Sequence, residues 1–204
     1  MDRATLRTAI MDELEGNLLP FWRERCVDPE RNCFVGEIAN DGTVRPDAPH
    51  GLILNSRLLW TFSALYRQLG DERNLDLARR AFDTLETVFR DREHGGYFWL
   101  VSSDGRVLDS SKKIYGQAFC IYALSEFHLA TDEEEPLAAA QQLFELIERH
   151  ANDAESGGYI EARAGDWSAT EDLQLSDKDM VAAKSMNTHL HLLEAYSNLY
   201  RAWP

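Results

Sequence analysis

The sequence lacks the features that mark membrane, secreted and nucleic-acid-binding proteins. It contains no run of about 18 apolar residues and no basic start followed by an apolar stretch, so neither a membrane span nor a secretory signal is predicted. Basic residues are few: 21 Lys and Arg stand against 35 Asp and Glu, and the formal net charge is −14. Phosphate groups and anionic lipids need clustered basic side chains, so neither nucleic acid nor membrane is an expected partner.

Cysteine is scarce as well. Cys26, Cys33 and Cys120 are odd in number and form neither a CxxC pair nor a Cys/His ligand pattern. They are therefore expected to be reduced, mostly structural thiols in a cytoplasmic protein, with no metal site and no cofactor. What the chain does have is apolar content: at 204 residues and 44% hydrophobic it can bury a core, and one domain over residues 1–204 is predicted.

A short acidic motif recurs along the chain. Its copies begin with Asp-x-Glu at Asp28, Asp91 and Asp153, and each ends six residues later in an aromatic residue. The intervals between the copies are 63 and 62 residues, which is typical of a repeated supersecondary unit. Two copies contain Gly-Gly before the aromatic residue, and this suits a turn that needs positive φ. Only two acids recur per copy, so turn and cap chemistry is favoured over the alternative of a calcium site.

Two kinds of helix alternate with these turns. Amphipathic segments with acidic starts predict outer helices, whereas segments that are apolar nearly all round predict inner helices covered on both sides. The outer segments are 71–91 and 132–151, the inner segments are 52–69, 112–130 and 184–203, and a first amphipathic segment covers 3–25 with a kink or early stop at Pro20. Three such hairpins of six helices predict an all-α fold, a double-layered α/α toroid.

The last inner segment carries a narrow polar stripe. At 100° per residue the stripe consists of Asn187, His191, Glu194, Asn198 and Arg201. It is thin and has no Lys, so it is predicted to face a polar cavity inside the protein. His191 is the functional candidate, although a hydrogen-bonded buried histidine is the alternative. His189 projects to the apolar side and is expected to be a core residue.

Polar residues also lie near the starts of the other inner segments. If these helices are parallel, Arg57 and Tyr115 meet Asn187 and His191 at one end of the toroid. Two cationic groups and two hydrogen-bond donors suit a developing oxyanion. The alternatives are that Arg57 forms a buried ion pair with Glu194 or Glu126, and that Tyr115 is a satisfied core tyrosine.

The acidic insertion between Tyr159 and Lys184 contains Trp167. This residue is predicted either to edge a ligand site or to lie in a solvated surface loop.

Four strings make the chain recognisable. They are LILNSRLLWTFSALYR, KKIYGQAFCIYALSEF, LSDKDM and KSMNTHLHLLEAYSNLYR, and with the two GGY turns they closely resemble the cellobiose 2-epimerases of the N-acylglucosamine 2-epimerase superfamily. The resemblance implies an (α/α)6 barrel and cofactor-independent epimerisation at C2 of a reducing-end sugar. In that family one histidine removes the C2 proton from the ring-opened aldose, a cis-enediol or enediolate forms, and a second histidine returns the proton to the opposite face.

By position, the resemblance implies that His191 and Arg57 are catalytic and that Tyr115 and Asn187 bind the substrate, a cellobiose-like disaccharide or an aldose. Family members are about twice as long, so the chain is expected to be the N-terminal half, three of six hairpins. The acid/base histidines and the sugar-stacking aromatic residues have no counterpart here, and Glu194 is only a weak stand-in for the base. The chain alone is therefore expected to be nearly inactive, unless two copies pair as a homodimer that completes the barrel.

Two other functions remain open at this point. A non-catalytic half-toroid would bind sugar without exchange of the C2 proton. An aldose–ketose isomerase of the same superfamily, such as a mannose isomerase, would share the enediol intermediate but release a ketose.

Overall fold

The computed structural model describes residues 2–174 and 182–204. The chain divides into two compact units, Met1–Ala48 and Pro49–Pro204, and a single domain over the whole chain stays a prediction. The string LSDKDM at 175–180, which contributes to the resemblance, lies outside the described residues. Within the described ranges, none of the helices has the length and apolar character that crossing a membrane requires.

The first unit begins with helix α1, Arg3–Glu13, whose N-terminus is capped by Asp2. Two π-helical segments follow, Leu14–Leu18 and Phe21–Arg25, and strands β1 (Val27–Asp28) and β2 (Cys33–Phe34) pair antiparallel. Pro20 itself has helical backbone angles, so an early stop at this residue is wrong. Proline cannot donate a backbone hydrogen bond, yet the helical backbone continues through it between the two π-helical segments.

Helices of two kinds alternate in the second unit, as predicted. The inner helices are α2 (Leu52–Leu69), α4 (Ile114–Thr131) and α6 (Met186–Ala202). The outer helices are α3 (Glu72–Thr84) and α5 (Glu134–His150), and α3 continues as a π-helical segment over Leu85–Phe89. α4 packs between α2 and α6, while α3 packs on α2 and α5 packs on α4. The predicted bounds are confirmed for α2, but Lys112 and Lys113 form a strand before α4 rather than its first turn.

Short antiparallel strands lead into two of the inner helices, α2 and α4. Strand β3 (His50–Gly51) pairs with β4 (Leu100–Val101), which also pairs with β5 (Val107–Asp109). Strand β6 (Lys112–Lys113) pairs in the same way with β7 (Ala162–Arg163). Because β3 and β6 end where α2 and α4 begin, the pairing fixes these helix starts against the loop of the next repeat.

The inner helices run in the same direction. Near their starts, Arg57 of α2 contacts Tyr115 of α4, and about ten residues further along both helices Arg67 contacts Glu126. The same holds between α4 and α6, where Phe119 contacts His191 and Glu126 contacts Asn198 further on. Parallel helices therefore bring their N-terminal ends together, as the sequence analysis assumed.

One prediction about the inner helices is wrong for α6. At the first, fifth and eighth positions of α2 and α4 the side chains are fully buried: Leu52, Ser56, Leu59, Ile114, Ala118 and Ile121. At the same positions of α6, Met186 is 79% exposed, Leu190 52% and Leu193 65%. α2 and α4 each have a further inner helix packed beside them. The corresponding face of α6 is not covered by any part of the chain that the structure describes, and we call Met186, Leu190, Leu193 and Tyr200 the α6 apolar face.

Candidate active site

Arg57 reaches from α2 to two aromatic side chains of α4. Its Nη2 donates a hydrogen bond to the Tyr115 hydroxyl at 3.2 Å, and its guanidinium carbon lies 4.6 Å from the centre of the Phe119 ring. This distance is within the range of a cation–π contact. The expected alternative, a buried ion pair with Glu194 or Glu126, is wrong, because Arg57 is exposed and Glu126 pairs with Arg67 at 2.8 Å.

His191 approaches the same two aromatic rings from α6. Its ring centre lies 5.0 Å from that of Tyr115, edge to face, and 4.6 Å from that of Phe119. Its Nδ1 lies 2.7 Å from Glu194 Oε2. An ionised carboxylate can only accept a hydrogen bond, so Nδ1 carries the proton in this pair and the lone pair of Nε2 is left free to act as an acceptor or a base.

Asn187 is the predicted site residue that lies apart from the others. It is exposed, one turn before His191 on α6. Among the described residues it makes no hydrogen bond to Arg57, Tyr115 or His191. The structure therefore brings three of the four predicted side chains into contact and leaves the fourth on the same helix face. The functional roles of all four remain predictions.

Equivalent helix positions explain why these side chains meet. Arg57, Phe119 and His191 are each the sixth residue of their inner helix, and Tyr115 and Asn187 are both second residues. The ninth residues, Trp60, Tyr122 and Glu194, continue the same face, and the rings of Trp60 and Tyr122 stack at 5.2 Å. Each helix thus presents one stripe to the same side, and on α6 this is the polar stripe that the sequence predicts.

A second polar layer lies further along the helices. Glu126 is buried and accepts hydrogen bonds from Arg67 of α2 and from Asn198 of α6, at 2.9 and 3.2 Å. Arg201 donates to Asn198 at 2.8 Å. A buried carboxylate that is paired in this way links three helices, and removing its cationic partner Arg67 would leave much of its charge uncompensated. The layer holds α2, α4 and α6 in the register that the candidate site requires.

The acidic turns anchor the starts of the inner helices α4 and α6. Asp91 Oδ1 accepts from the backbone N–H groups of Glu93 and His94 at 3.0 Å, and its Oδ2 accepts from buried Lys112 at 2.7 Å. Asp153 caps its own turn through Glu155 and Ser156, and it accepts from Lys184 at 2.6 Å. The Gly-Gly pairs have φ between +71° and +76°. Turn and cap chemistry, as predicted, therefore accounts for the acids.

Electrostatics at these turns favours the ionised carboxylates. Burial alone would raise the pKa of Asp91, but the Lys112 ammonium and the backbone N–H of His94 outweigh it and the pKa is lowered. The pKa of Asp153 falls to about 2, mainly because Lys184 donates to it and then because of the backbone N–H of Ser156. Both lysines are therefore held as structural cations at the starts of inner helices.

His189 and Trp167 serve the turns rather than a ligand. His189 Nε2 accepts from the backbone N–H of Tyr159 at 3.0 Å and its Nδ1 donates to Ser185 O, so the expected structural role is what the contacts show. Trp167 is buried, and its Nε1 donates to the carbonyl oxygens of His94 and Gly95. It neither edges the candidate site nor lies in solvent, because its ring packs against the first Gly-Gly turn.

The sequence analysis did not identify Phe119 as a candidate site residue. It sits in an apolar string, where a phenylalanine is normally a core residue. The available signal was its repeat position, the sixth residue of an inner helix, which it shares with Arg57 and His191.

Comparisons with known proteins agree with this description. The family model of N-acylglucosamine 2-epimerase matches residues 33–202. A cellobiose 2-epimerase of Bacteroides fragilis is 46% identical over 97% of this chain and 50% of the relative, and one of Dictyoglomus turgidum is 37% identical over 99% and 51%. The solved cellobiose 2-epimerase of Bacillus thermoamylovorans superposes with a TM-score of 0.93 at 38% identity, over 98% of this chain and 51% of that one.

A solved D-mannose isomerase shares the fold, with a TM-score of 0.79 at 23% identity. The predicted α/α toroid architecture is confirmed by these likenesses, and the chain spans about half the length of the curated relatives it matches. The match of the family model over most of the sequence, and the identity to relatives over nearly the whole chain, lead to one conclusion. The chain belongs to the N-acylglucosamine 2-epimerase family.

Proposed function

We propose that this chain carries one side of the active site of a sugar 2-epimerase of the cellobiose 2-epimerase type. Its reaction interconverts glucose-type and mannose-type reducing ends. One observation carries the proposal: Tyr115 of α4 contacts both Arg57 of α2 and His191 of α6 near the N-terminal ends of these three inner helices. A cation, a hydroxyl and an imidazole at one point suit a polar substrate on which negative charge develops.

In the proposed reaction the ring-opened aldose loses its C2 proton. The electrons of the C2–H bond form the C1–C2 double bond, and the carbonyl π electrons move to the C1 oxygen, giving a cis-enediolate. Arg57, and His191 when its Nε2 carries a proton, then stabilise the oxygen that gains charge, and they act most strongly where water is excluded. Return of a proton to the opposite face of C2 completes the inversion. The pair of groups that moves this proton is not assigned among the described residues.

Tyr115 and Asn187 are proposed to orient the sugar. The Tyr115 hydroxyl accepts from Arg57, so its own proton is free to be donated to a sugar oxygen. Asn187 is exposed at the same helix position and offers both a donor and an acceptor. The substrate class is therefore a neutral small carbohydrate, such as cellobiose, another β-1,4-linked disaccharide or an aldose.

A complementation experiment tests the proposal. The 204-residue chain alone is expected to bind cellobiose with little or no incorporation of deuterium at C2 in heavy water. The chain is then mixed with the segment of the Bacteroides fragilis relative that it does not match. C2 exchange and epimerised product are expected in the mixture, and the Arg57→Ala variant of this chain should abolish both. Failure to bind cellobiose, together with no exchange in the mixture, contradicts the proposal.

The same experiment separates the two other candidate functions. Because the chain spans half of its relatives, a non-catalytic sugar-binding module is the second candidate, and it predicts binding without C2 exchange even in the mixture. An aldose–ketose isomerase predicts C2 exchange with release of a ketose, which sugar chromatography distinguishes from the epimer.

We further propose that two copies of this chain associate through the α6 apolar face. Exposed apolar side chains on one helix face favour association. A second copy would supply helices that cover the α6 apolar face, as neighbouring helices of the same chain cover the equivalent faces of α2 and α4. Light scattering is expected to give the mass of a dimer. Leu193→Glu, at a position that is 65% exposed, should give the mass of a monomer without loss of fold. A monomeric wild-type chain contradicts this part of the proposal.

A cytoplasmic location is also proposed. Cys26 and Cys120 are buried thiols whose pKa values are raised by burial, to about 11 for Cys26. Buried protonated thiols are the usual state of cysteine in a reducing compartment. Fractionation of cells that express the tagged chain tests this.

A further inference from the structure

Phe119 occupies the centre of the candidate site. It is 7% exposed, and its ring contacts all three of the predicted site residues that meet there. The Arg57 guanidinium lies 4.6 Å from its ring centre, the Tyr115 ring 5.0 Å and the His191 ring 4.6 Å. No function was predicted for this residue.

The position of Phe119 suggests more than space filling. The other two inner helices place a basic side chain at the equivalent sixth position, Arg57 in α2 and His191 in α6. Between two groups that can both be cationic, a basic residue would repel both and an aliphatic residue would attract neither. An aromatic ring does, because its quadrupole draws positive charge toward the ring face.

We propose that Phe119 is a positioning residue that holds the Arg57 guanidinium and the His191 imidazole on either side of the developing oxyanion. This inference rests on the proposed function for its catalytic meaning. The ring attracts both groups and fixes their separation.

Fluorinated phenylalanines test this without changing the shape of the ring. Successive fluorine atoms weaken the negative potential of the ring face while the side chain still fits the same space. The full 204-residue chain is prepared with phenylalanine, monofluoro- or trifluorophenylalanine at position 119. The solvent exchange of the Arg57 guanidinium protons is followed by NMR, and cellobiose affinity is measured by calorimetry. The exchange is expected to become faster stepwise with fluorine content, because the ring holds the guanidinium less firmly, and affinity should fall about threefold to tenfold over the series.

Phe127 provides a matched control on the same helix. It is fully buried and its ring packs against Phe82 at 5.1 Å, far along α4 from the candidate site. The same fluorinated residues at position 127 should leave both readouts unchanged. Phe119→Leu, which keeps apolar volume but removes the ring, should speed the Arg57 exchange and lower the affinity as far as the trifluorinated residue does.

The two proposals fail in different ways. An Arg57 exchange rate that does not change across the fluorinated series overturns the positioning role, whether or not sugar binds. A stepwise rise of that rate in a chain that does not bind cellobiose supports the positioning role and counts against the proposed function. If cellobiose binds and neither readout responds to position 119, Phe119 only fills space.

Discussion

The side chain of Gln117 and the backbone of Tyr97 are joined by two hydrogen bonds. Tyr97 N–H donates to Gln117 Oε1 at 3.0 Å, and Gln117 Nε2 donates to Tyr97 O at 2.8 Å. His189, which like Gln117 is the fourth residue of its helix, accepts from Tyr159 N–H at the same distance. An amide in one repeat and an imidazole in the next thus anchor an inner helix to the same backbone group of a turn.

This equivalence predicts which substitutions His189 tolerates. His189→Gln can accept the same hydrogen bond and should change the free energy of unfolding by less than about 1 kcal/mol. His189→Leu leaves the Tyr159 N–H without a partner and should cost about 1–3 kcal/mol. Urea unfolding of both variants checks this, and equal losses would show that the ring volume matters rather than the hydrogen bond.

The two glycines of the second turn provide a matched pair. Both have positive φ, but a Cβ on Gly157 would meet open space, whereas one on Gly158 would lie 2.5 Å from His189 Nε2. Gly157→Ala should cost only the backbone strain, about 1–2 kcal/mol. Gly158→Ala should cost about 1–3 kcal/mol more, because His189 must also move and lose its hydrogen bond. Thermal and urea unfolding measure the difference, and its absence would contradict the close approach.

Stability should depend on pH through Asp153. Its folded pKa of about 2 is below the ordinary value of 3.8. A lowered folded pKa gives stability that is complete above the unfolded pKa and is lost as the pH falls from about 4 toward 2. The wild-type chain should therefore be more stable than Asp153→Asn near neutral pH, and the difference should shrink over that acidic interval. Melting temperatures of both proteins at a series of pH values test this, and a difference that stays constant would assign it to another group.

Binding should separate from stability at Arg57. The side chain is exposed, so Arg57→Ala should change the free energy of unfolding by no more than about 1 kcal/mol. Cellobiose affinity should fall at least about tenfold, because a charge-assisted hydrogen bond to the substrate is lost. Arg106→Ala, on an exposed turn, is the control and should bind normally. Calorimetry measures both, and normal binding by Arg57→Ala would remove this residue from the site.

The sequence predicts well those features that depend on periodicity. The bounds of α2, the alternation of inner and outer helices, and the turn role of Asp91 and Asp153 all follow from hydrophobic pattern, repeat spacing and glycine placement. The meeting of Arg57, Tyr115 and His191 follows as well, because parallel helices place equivalent positions at one end.

Other features depend on tertiary contacts that no local pattern contains. Trp167 looked like a loop residue because its partners, the carbonyl oxygens of His94 and Gly95, are more than 70 residues away. Phe119 could not be told from a core phenylalanine by its apolar neighbours. The α6 apolar face was predicted to be buried because the hydrophobic pattern shows which side chains are apolar. Whether such side chains are exposed depends on whether another element packs on them, and the local sequence does not contain that information.

The connections into α4 and α6 differ in length but not in their end points. Gln117 lies 20 residues after Tyr97, whereas His189 lies 30 residues after Tyr159. The separation between aspartate and lysine in the two ion pairs increases in the same way, from 21 residues in Asp91–Lys112 to 31 in Asp153–Lys184. Ten additional residues are thus accommodated between two fixed anchors without shifting the helix that follows. A change in the length of this connection should accordingly disturb the helical framework little, provided that both anchors and the contacts of Trp167 are kept.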